Sequence, residues 1–324
     1  MRISNLFLRI RRNSVGRSIR NTISLWPGYQ QVPELNSIDN LKCKLRAILS
    51  LLSNSLTQNR ETKDRIRATM KLQNSEFSDI LLIGNGPSSS NLSISQIRNF
   101  KAQGGKVAVM NNFYLADISK QFVPDYYFLV DVEYWKPQYK STVGLRAQVS
   151  SYIATYSQAI TVVQPAHLEP IIEGGGKYIY VDGRSSQGLN RSSCPVRPWG
   201  LTPSVALYAI ATLKYLGHRR VYFIGLDSNF LDNFLVDHLN GIVNRPSGQH
   251  FYPNLLDTEN AMELIDSNGS AKLPYRHLAD LHYAHGIFLN DFYLVCRDGC
   301  VNVGNDMSND AAPRACLIPN AQED

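Results

Sequence analysis

Five short apolar runs, Ile80–Ile83, Lys106–Met110, Tyr126–Val130, Tyr178–Val181 and Val221–Ile224, each stop at glycine or polar residues, and segments of helical period lie between several of them. Runs that are apolar almost throughout, rather than alternating, suit strands covered on both faces. That requirement selects a parallel sheet with helices on each side. Ala159–Val163 and Phe292–Cys296 read as further strands, and Ser93–Gln103, Pro203–Leu216, Thr258–Ser267 and Tyr275–His285 as helices. The expected class is α/β, a Rossmann-like, mostly parallel sheet preceded by a basic helical extension. Residues 1–76 form the extension and linker, and 77–324 the main domain, with 228–256 a lid or insertion.

Charge divides the chain in the same place. Residues 1–75 hold 14 Lys and Arg against 4 Asp and Glu, whereas the whole chain carries only +6. The main domain is therefore mildly acidic, and a nucleic-acid partner is not expected. In the first 26 residues there are six arginines and no acid, and Val15, Ile19, Ile23 and Trp26 follow at helical spacing. Such a segment suits an anionic membrane surface or an acidic partner. A solvated helix packed on the domain and an organelle transit peptide are the competing readings. No apolar stretch approaches the ~20 residues of a spanning helix. The five cysteines include no CxxC pair, and Cys296 and Cys300 stand without a matching second pair, which argues against zinc. The expected setting is reduced and cytoplasmic, with peripheral attachment to the inner membrane face.

The strand ends carry the functional signal. They are Gly84-Asn85-Gly86-Pro87-Ser88, Asn111-Asn112, Asp131-Val132-Glu133, Asp182 and Gly225-Leu226-Asp227. In a doubly wound sheet they share the carboxyl edge, where ligands bind. Gly84 and Gly86 allow a sharp turn and close backbone approach to a ligand, Pro87 suits the first turn of a helix, and Ser88 to Ser90 lie where a helix start attracts an anion. A dinucleotide fingerprint fits poorly: Ser89 stands at the third glycine, and Asn111 and Asn112 where a ribose-binding acid belongs. No Gly-Lys-Ser/Thr of a Walker loop follows the turn either. Asparagines suit uncharged hydrogen bonding to a base, ribose or sugar.

The segments LLIGNGPSSSNLS, VAVMNNFYLAD, PDYYFLVDVEYW, LTPSVALYAIATLKYLGHRRVYFIGLD and GQHFYPN occur in the order found in bacterial sialyltransferases of glycosyltransferase family 42. They also resemble the related domain of motility-associated flagellin glycosyltransferases and of 6-hydroxymethylpterin diphosphokinase-like proteins. The resemblance spans roughly residues 78 to 300. It implies a metal-independent transferase, without cofactor, that moves a sugar from a CMP-activated donor to a surface-glycan or lipid-linked acceptor. Gly84, Asn85, Gly86 and Ser88 would hold the nucleotide, and Asn111 and Asn112 would contact donor sugar or phosphate. Thr202 and Ser204 fall near the donor carboxylate, and His250 at the general base, a role that a group titrating near ~6.5 suits.

Alternatives stand beside these roles. His250 also fits simple packing under a loop, and Asp227 fits either ligand contact or a helix cap. Asp131 is a candidate acceptor for ribose or sugar hydroxyls. With Glu133 it also imitates an acid-x-acid pair that holds Mg²⁺ or Mn²⁺. A pair of tyrosines that steadies the departing phosphate in the sialyltransferases has no counterpart after Asp227. That departure keeps two other classes open: a diphosphokinase using ATP and Mg²⁺, and a binding protein without turnover.

Overall fold

The computed structural model describes residues 48–49, 59–135, 145–173, 175–186, 192–201, 204–226, 235–237, 242–244, 273–274, 290–296 and 298–303. The arginine-rich segment, the helices read at Thr258–Ser267 and Tyr275–His285, and most of 228–256 lie outside these residues.

Seven strands form one wholly parallel sheet: β1 (Ile80–Ile83), β2 (Lys106–Met110), β3 (Tyr126–Phe128), β4 (Thr161–Pro165), β5 (Lys177–Val181), β6 (Val221–Ile224) and β10 (Cys300–Asn302), in the order β10-β6-β1-β2-β3-β4-β5. Three short strands, β7 (Leu235–Asp237), β8 (Ile242–Asn244) and β9 (Leu273–Pro274), make a separate antiparallel sheet. The main sheet is covered on both sides, as its apolar strands require. Ile80, Leu82, Ala108, Phe128 and Phe223 face helix α4 (Val205–Leu216), while Leu81, Ile83, Val107, Val109 and Tyr127 face α2 (Ile94–Ala102) and α3 (Leu145–Thr155). Alternate residues along each strand thus feed two cores. Helix α4 is apolar nearly all round and correspondingly buried, and it ends at Gly217, which takes the left-handed cap.

Helix α1 (Arg60–Met70), which ends the expected extension, lies against β5. Arg65 donates to the carbonyls of Ala166 and Leu168 at 3.1 and 3.0 Å, and its guanidinium sits over the Tyr180 ring. The Thr69 hydroxyl accepts from the Tyr180 N–H at 2.8 Å. An otherwise open edge strand is thereby covered.

One strand expectation is overturned. Phe292–Cys296 is not a strand: residues 290–296 form helix α5, and the strand follows at Cys300. Asp291 and Val295, four apart, are buried while Tyr293 is exposed, a helical rather than an alternating pattern. A run this short satisfies either period, and packing decides.

The amino edge of the sheet concentrates paired charge. Asp79 accepts from both Arg219 and Arg220, Glu76 from Lys106 and the Tyr126 hydroxyl, and Asp125 from Lys101 and the Val107 N–H. Burial pushes the Glu76 and Asp79 carboxyls up, but these partners outweigh it and hold both below the usual carboxylate range. Burial also lowers His218, whose Nδ1 faces the Ser78 carbonyl at 3.1 Å. A carboxyl depressed by folding contributes stability above its unfolded pKa and loses it as pH falls through the folded one. A histidine depressed by folding likewise stabilises above about 6.5 and is lost on acidification. Urea unfolding is therefore expected to show stability falling in two stages, first below about pH 6.5 and then below about pH 4. His218→Gln shrinks the first stage, to which His167, also lowered by burial, contributes, and leaves the second; an unchanged profile rules out His218.

Candidate functional site

The strand order defines where a ligand can enter. From β1 the chain moves outward through β2, β3, β4 and β5, then returns through α4 to β6 on the other flank of β1. The connections diverge between β1 and β6, so their carboxyl ends bound the crevice of a doubly wound sheet. Gly84-Asn85-Gly86 forms one lip, and Gly225-Leu226 the other.

These lips are dovetailed at their base. The Gly84 N–H donates to Ile224 O and the Gly86 N–H to Gly225 O, both at 2.8 Å. The Gly225 N–H donates to Ser88 Oγ at 3.0 Å, and Ser89 Oγ donates to Gly84 O at 2.9 Å. Gly84 has no room for a side chain, since a Cβ there would stand 2.2 Å from Gly225 O. The close approach that glycine permits is thus to the neighbouring strand end, and the N–H groups of Gly84 and Gly86 are spent on it.

A second correction follows. The turn does not open into an α-helix: Pro87–Asn91 is a single 3-10 segment, and α2 begins only after Ser93. Ser93 and Gln96 close that start with a capping box, so the expected anion site at Ser88–Ser90 has no helix behind it.

Asn111 and Asn112 follow β2 directly. The pairing of Ile83 with Val109 and Val109 with Tyr127 sends Asn85 and Asn111 out of adjacent strands side by side, with Asp131 at the end of the next. Asn111 has φ +49°, a left-handed conformation that asparagine tolerates better than most residues. Two phenols hold the dipeptide: Tyr127 donates to Asn111 O at 2.6 Å, and Tyr134 to Asn112 Oδ1 at 2.5 Å. Burial keeps the Tyr127 phenol well above its ordinary pKa, and therefore a neutral donor. With its oxygen engaged, Asn112 retains its two amide N–H donors. Asn111 Oδ1 is buried and has no hydrogen-bond partner among the described residues. A buried acceptor left so costs about 1–3 kcal/mol, a cost that a ligand donor would remove. The rim therefore offers an acceptor and donors on successive residues. Tyr127 and Tyr134 escape a sequence reading because nothing in a run of aromatics tells a packed ring from one that orients a neighbour.

Asp182, at the end of β5, shares the rim but has a different task. Its carboxylate accepts from the Arg184 N–H at 3.1 Å, from Nε at 2.9 Å and from Nη2 at 2.6 Å, and the residue is only 2% exposed. This ion pair removes Asp182 from the polar ends expected to meet a ligand. Nearby, His167 follows β4 and packs against Gly183, where an added Cβ would approach its ring to 2.5 Å. Among the described residues it is a rim histidine that the sequence did not single out.

Ser204 is half-buried at the start of α4, and its hydroxyl does not cap the helix. Thr202, Asp227, His250 and the Glu133 side chain lie outside the described residues. Among the described residues, no group of three or more His, Cys, Asp or Glu side chains is placed to hold a metal ion, and no helix is long and apolar enough to cross a membrane.

No protein-family model matches the chain, and no curated protein matches it in sequence. Among solved structures, it is similar to a MAf glycosyltransferase from Magnetospirillum magneticum AMB-1, with 14% identity and a TM-score of 0.33. That likeness covers 74% of this chain and 45% of the other, so the chain spans under half the length of the protein it matches.

Proposed function

We propose that the protein is a glycosyltransferase that takes a sugar, a sialic or other nonulosonic acid, from a CMP-linked donor and passes it to a surface-glycan or lipid-linked acceptor. The observation that carries this reading is the convergence of Asn85, Asn111 and Asn112 beside the β1–β6 crevice, with the buried Asn111 Oδ1 lacking a partner among the described residues. The ordered motifs of the sequence support it. So does charge: residues 84–93, 111–116 and 225–226 contain no Lys or Arg. Lips without cations among the described residues suit the single phosphate of a CMP-sugar better than the more highly charged diphosphate of other sugar nucleotides.

In this reading Asn85 and the Asn111–Asn112 pair bind base, ribose or sugar by neutral hydrogen bonds, and Asp131 accepts from a hydroxyl. His250 takes the proton of the acceptor hydroxyl as the glycosidic bond forms and CMP leaves. Calorimetry with CMP, UDP, GDP and ATP, each with and without Mg²⁺, tests the assignment. Metal-independent CMP binding is expected; binding of ATP that requires Mg²⁺ overturns it in favour of diphosphate transfer. Asn85→Ala and Asn111→Ala should each weaken CMP by about 5- to 30-fold, the loss of one hydrogen bond worth about 1–2 kcal/mol. His250→Ala should lower turnover on a CMP-sugar by about 10²-fold or more while nucleotide affinity holds. Unchanged turnover removes it from the mechanism.

A further inference from the structure

We infer, on the nucleotide-sugar reading of the rim, that Tyr134 is a positioning residue: its hydroxyl fixes the Asn112 amide so that the nitrogen, not the oxygen, meets the ligand, and the ligand group received there is a hydrogen-bond acceptor. The Tyr134 hydroxyl lies 2.5 Å from Asn112 Oδ1. That separation suits O–H···O bonds, which span about 2.5–3.0 Å, and is short for N–H···O bonds, which begin near about 2.7 Å. The contact therefore selects one of the two ways in which an amide can face a phenol. Asn112 is half-buried, and its Nδ2 makes no hydrogen bond among the described residues.

The phenol is held too firmly to follow the amide if it turns. Tyr134 is 7% exposed and belongs to the core cluster of Phe113, Tyr127, Leu145 and Val149. Its ring stands edge-on to Trp135, with centroids 6.3 Å apart. Trp135 is tied down in turn, its Nε1–H donating to Glu169 O at 2.8 Å. The main chain is pinned on both sides of Asn112 by one buried phenol: Tyr127 donates to Asn111 O at 2.6 Å and accepts from the Tyr114 N–H at 3.2 Å. The freedom that remains is that of the Asn112 side chain, and Tyr134 removes it before a ligand arrives. A side chain that must be ordered on binding weakens affinity by about 2- to 12-fold relative to one already set.

The test is a double-mutant cycle on the full chain, read by calorimetry with CMP. Asn112→Ala should weaken CMP by about 5- to 30-fold. Tyr134→Phe keeps the ring and should weaken CMP by about 2- to 12-fold when Asn112 is present, and not at all in Asn112→Ala, where no amide remains to orient. An equal loss in both backgrounds means that Tyr134 acts through the fold alone and overturns the inference, as does no loss in either. Asn112→Asp, which keeps the shape but offers acceptors only, should bind CMP more weakly than Asn112→Ala; binding as tight as wild type overturns the acceptor assignment. Repeating Asn112→Ala with cytidine places the acceptor, on base or ribose if both ligands lose affinity and on the phosphate if only CMP does. A measurement without ligand separates Tyr134 from the choice of nucleotide. The side-chain amide signals of Asn112, identified by their loss in Asn112→Ala, should shift in nitrogen-edited NMR spectra of Tyr134→Phe. Signals that stay in place overturn the role of Tyr134 whatever the nucleotide. Shifted signals in a protein whose wild type binds no CMP support that role and overturn the CMP-sugar reading instead.

Discussion

Replacing Gly225 with alanine is expected to destabilise the protein by about 2–5 kcal/mol, read as a lower urea midpoint at unchanged slope. Gly225 has φ +73°, where an L side chain is strained by about 1–2 kcal/mol. Its new Cβ would also stand 1.9 Å from Ser89 Oγ and 2.8 Å from Gly84 O. Overpacking of that kind costs about 1–3 kcal/mol, because the second neighbour is backbone that the β1–β6 ladder holds in place. Adding Ser89→Ala separates the contributions. That change deletes the nearer obstacle and its hydrogen bond to Gly84 O, so the double variant should be more stable than the sum of the single losses by about 1 kcal/mol. A Gly225→Ala protein with wild-type stability would mean that the two strand ends do not interlock, and the crevice they frame would lose its floor.

The second large effect is expected at Asp182. Its carboxylate is buried and accepts from the Arg184 guanidinium, whose side chain is 22% exposed, and removing the charged acceptor of such a partly exposed pair costs about 1–3 kcal/mol. Asp182→Ala should lower stability by that amount, and Asp182→Ala with Arg184→Met should recover most of it, since the pair's own net contribution is small. Asn111→Ala should do the opposite. It deletes a buried acceptor that has no partner among the described residues, but it also puts alanine at φ +49°, which costs about 1–2 kcal/mol, so stability should change little while nucleotide affinity falls. Together the two substitutions sort the carboxyl edge into residues that hold the architecture and residues that serve a ligand. If Asp182→Ala is stable and loses nucleotide affinity, the division is reversed.

That sorting is where the sequence stops being sufficient. It placed β1, β2 and β6 to the residue, because four or five apolar residues bounded by glycine or polar groups leave a strand little choice of ends. The helices read at Ser93–Gln103 and Pro203–Leu216 likewise agree with α2 and α4 to within two residues at each end, since helix ends are set by local hydrogen bonding. The alternation of strands and helices announced a sheet covered on both faces, and with it a shared polar edge. Only the tertiary structure decided that β6 returns beside β1, which is what turns two separate glycine segments into one dovetail. It alone showed that α5 is helical, because burial of Asp291 and Val295 on one side depends on what lies against them. It alone divided the polar ends by satisfaction: Asp182 has its partner within the chain, and Asn111 Oδ1 has none among the described residues. The physical reason is common to all three. Period, caps and turns are set by neighbours along the chain, whereas strand order, burial and the partner of a polar atom are set by residues that sequence distance does not name.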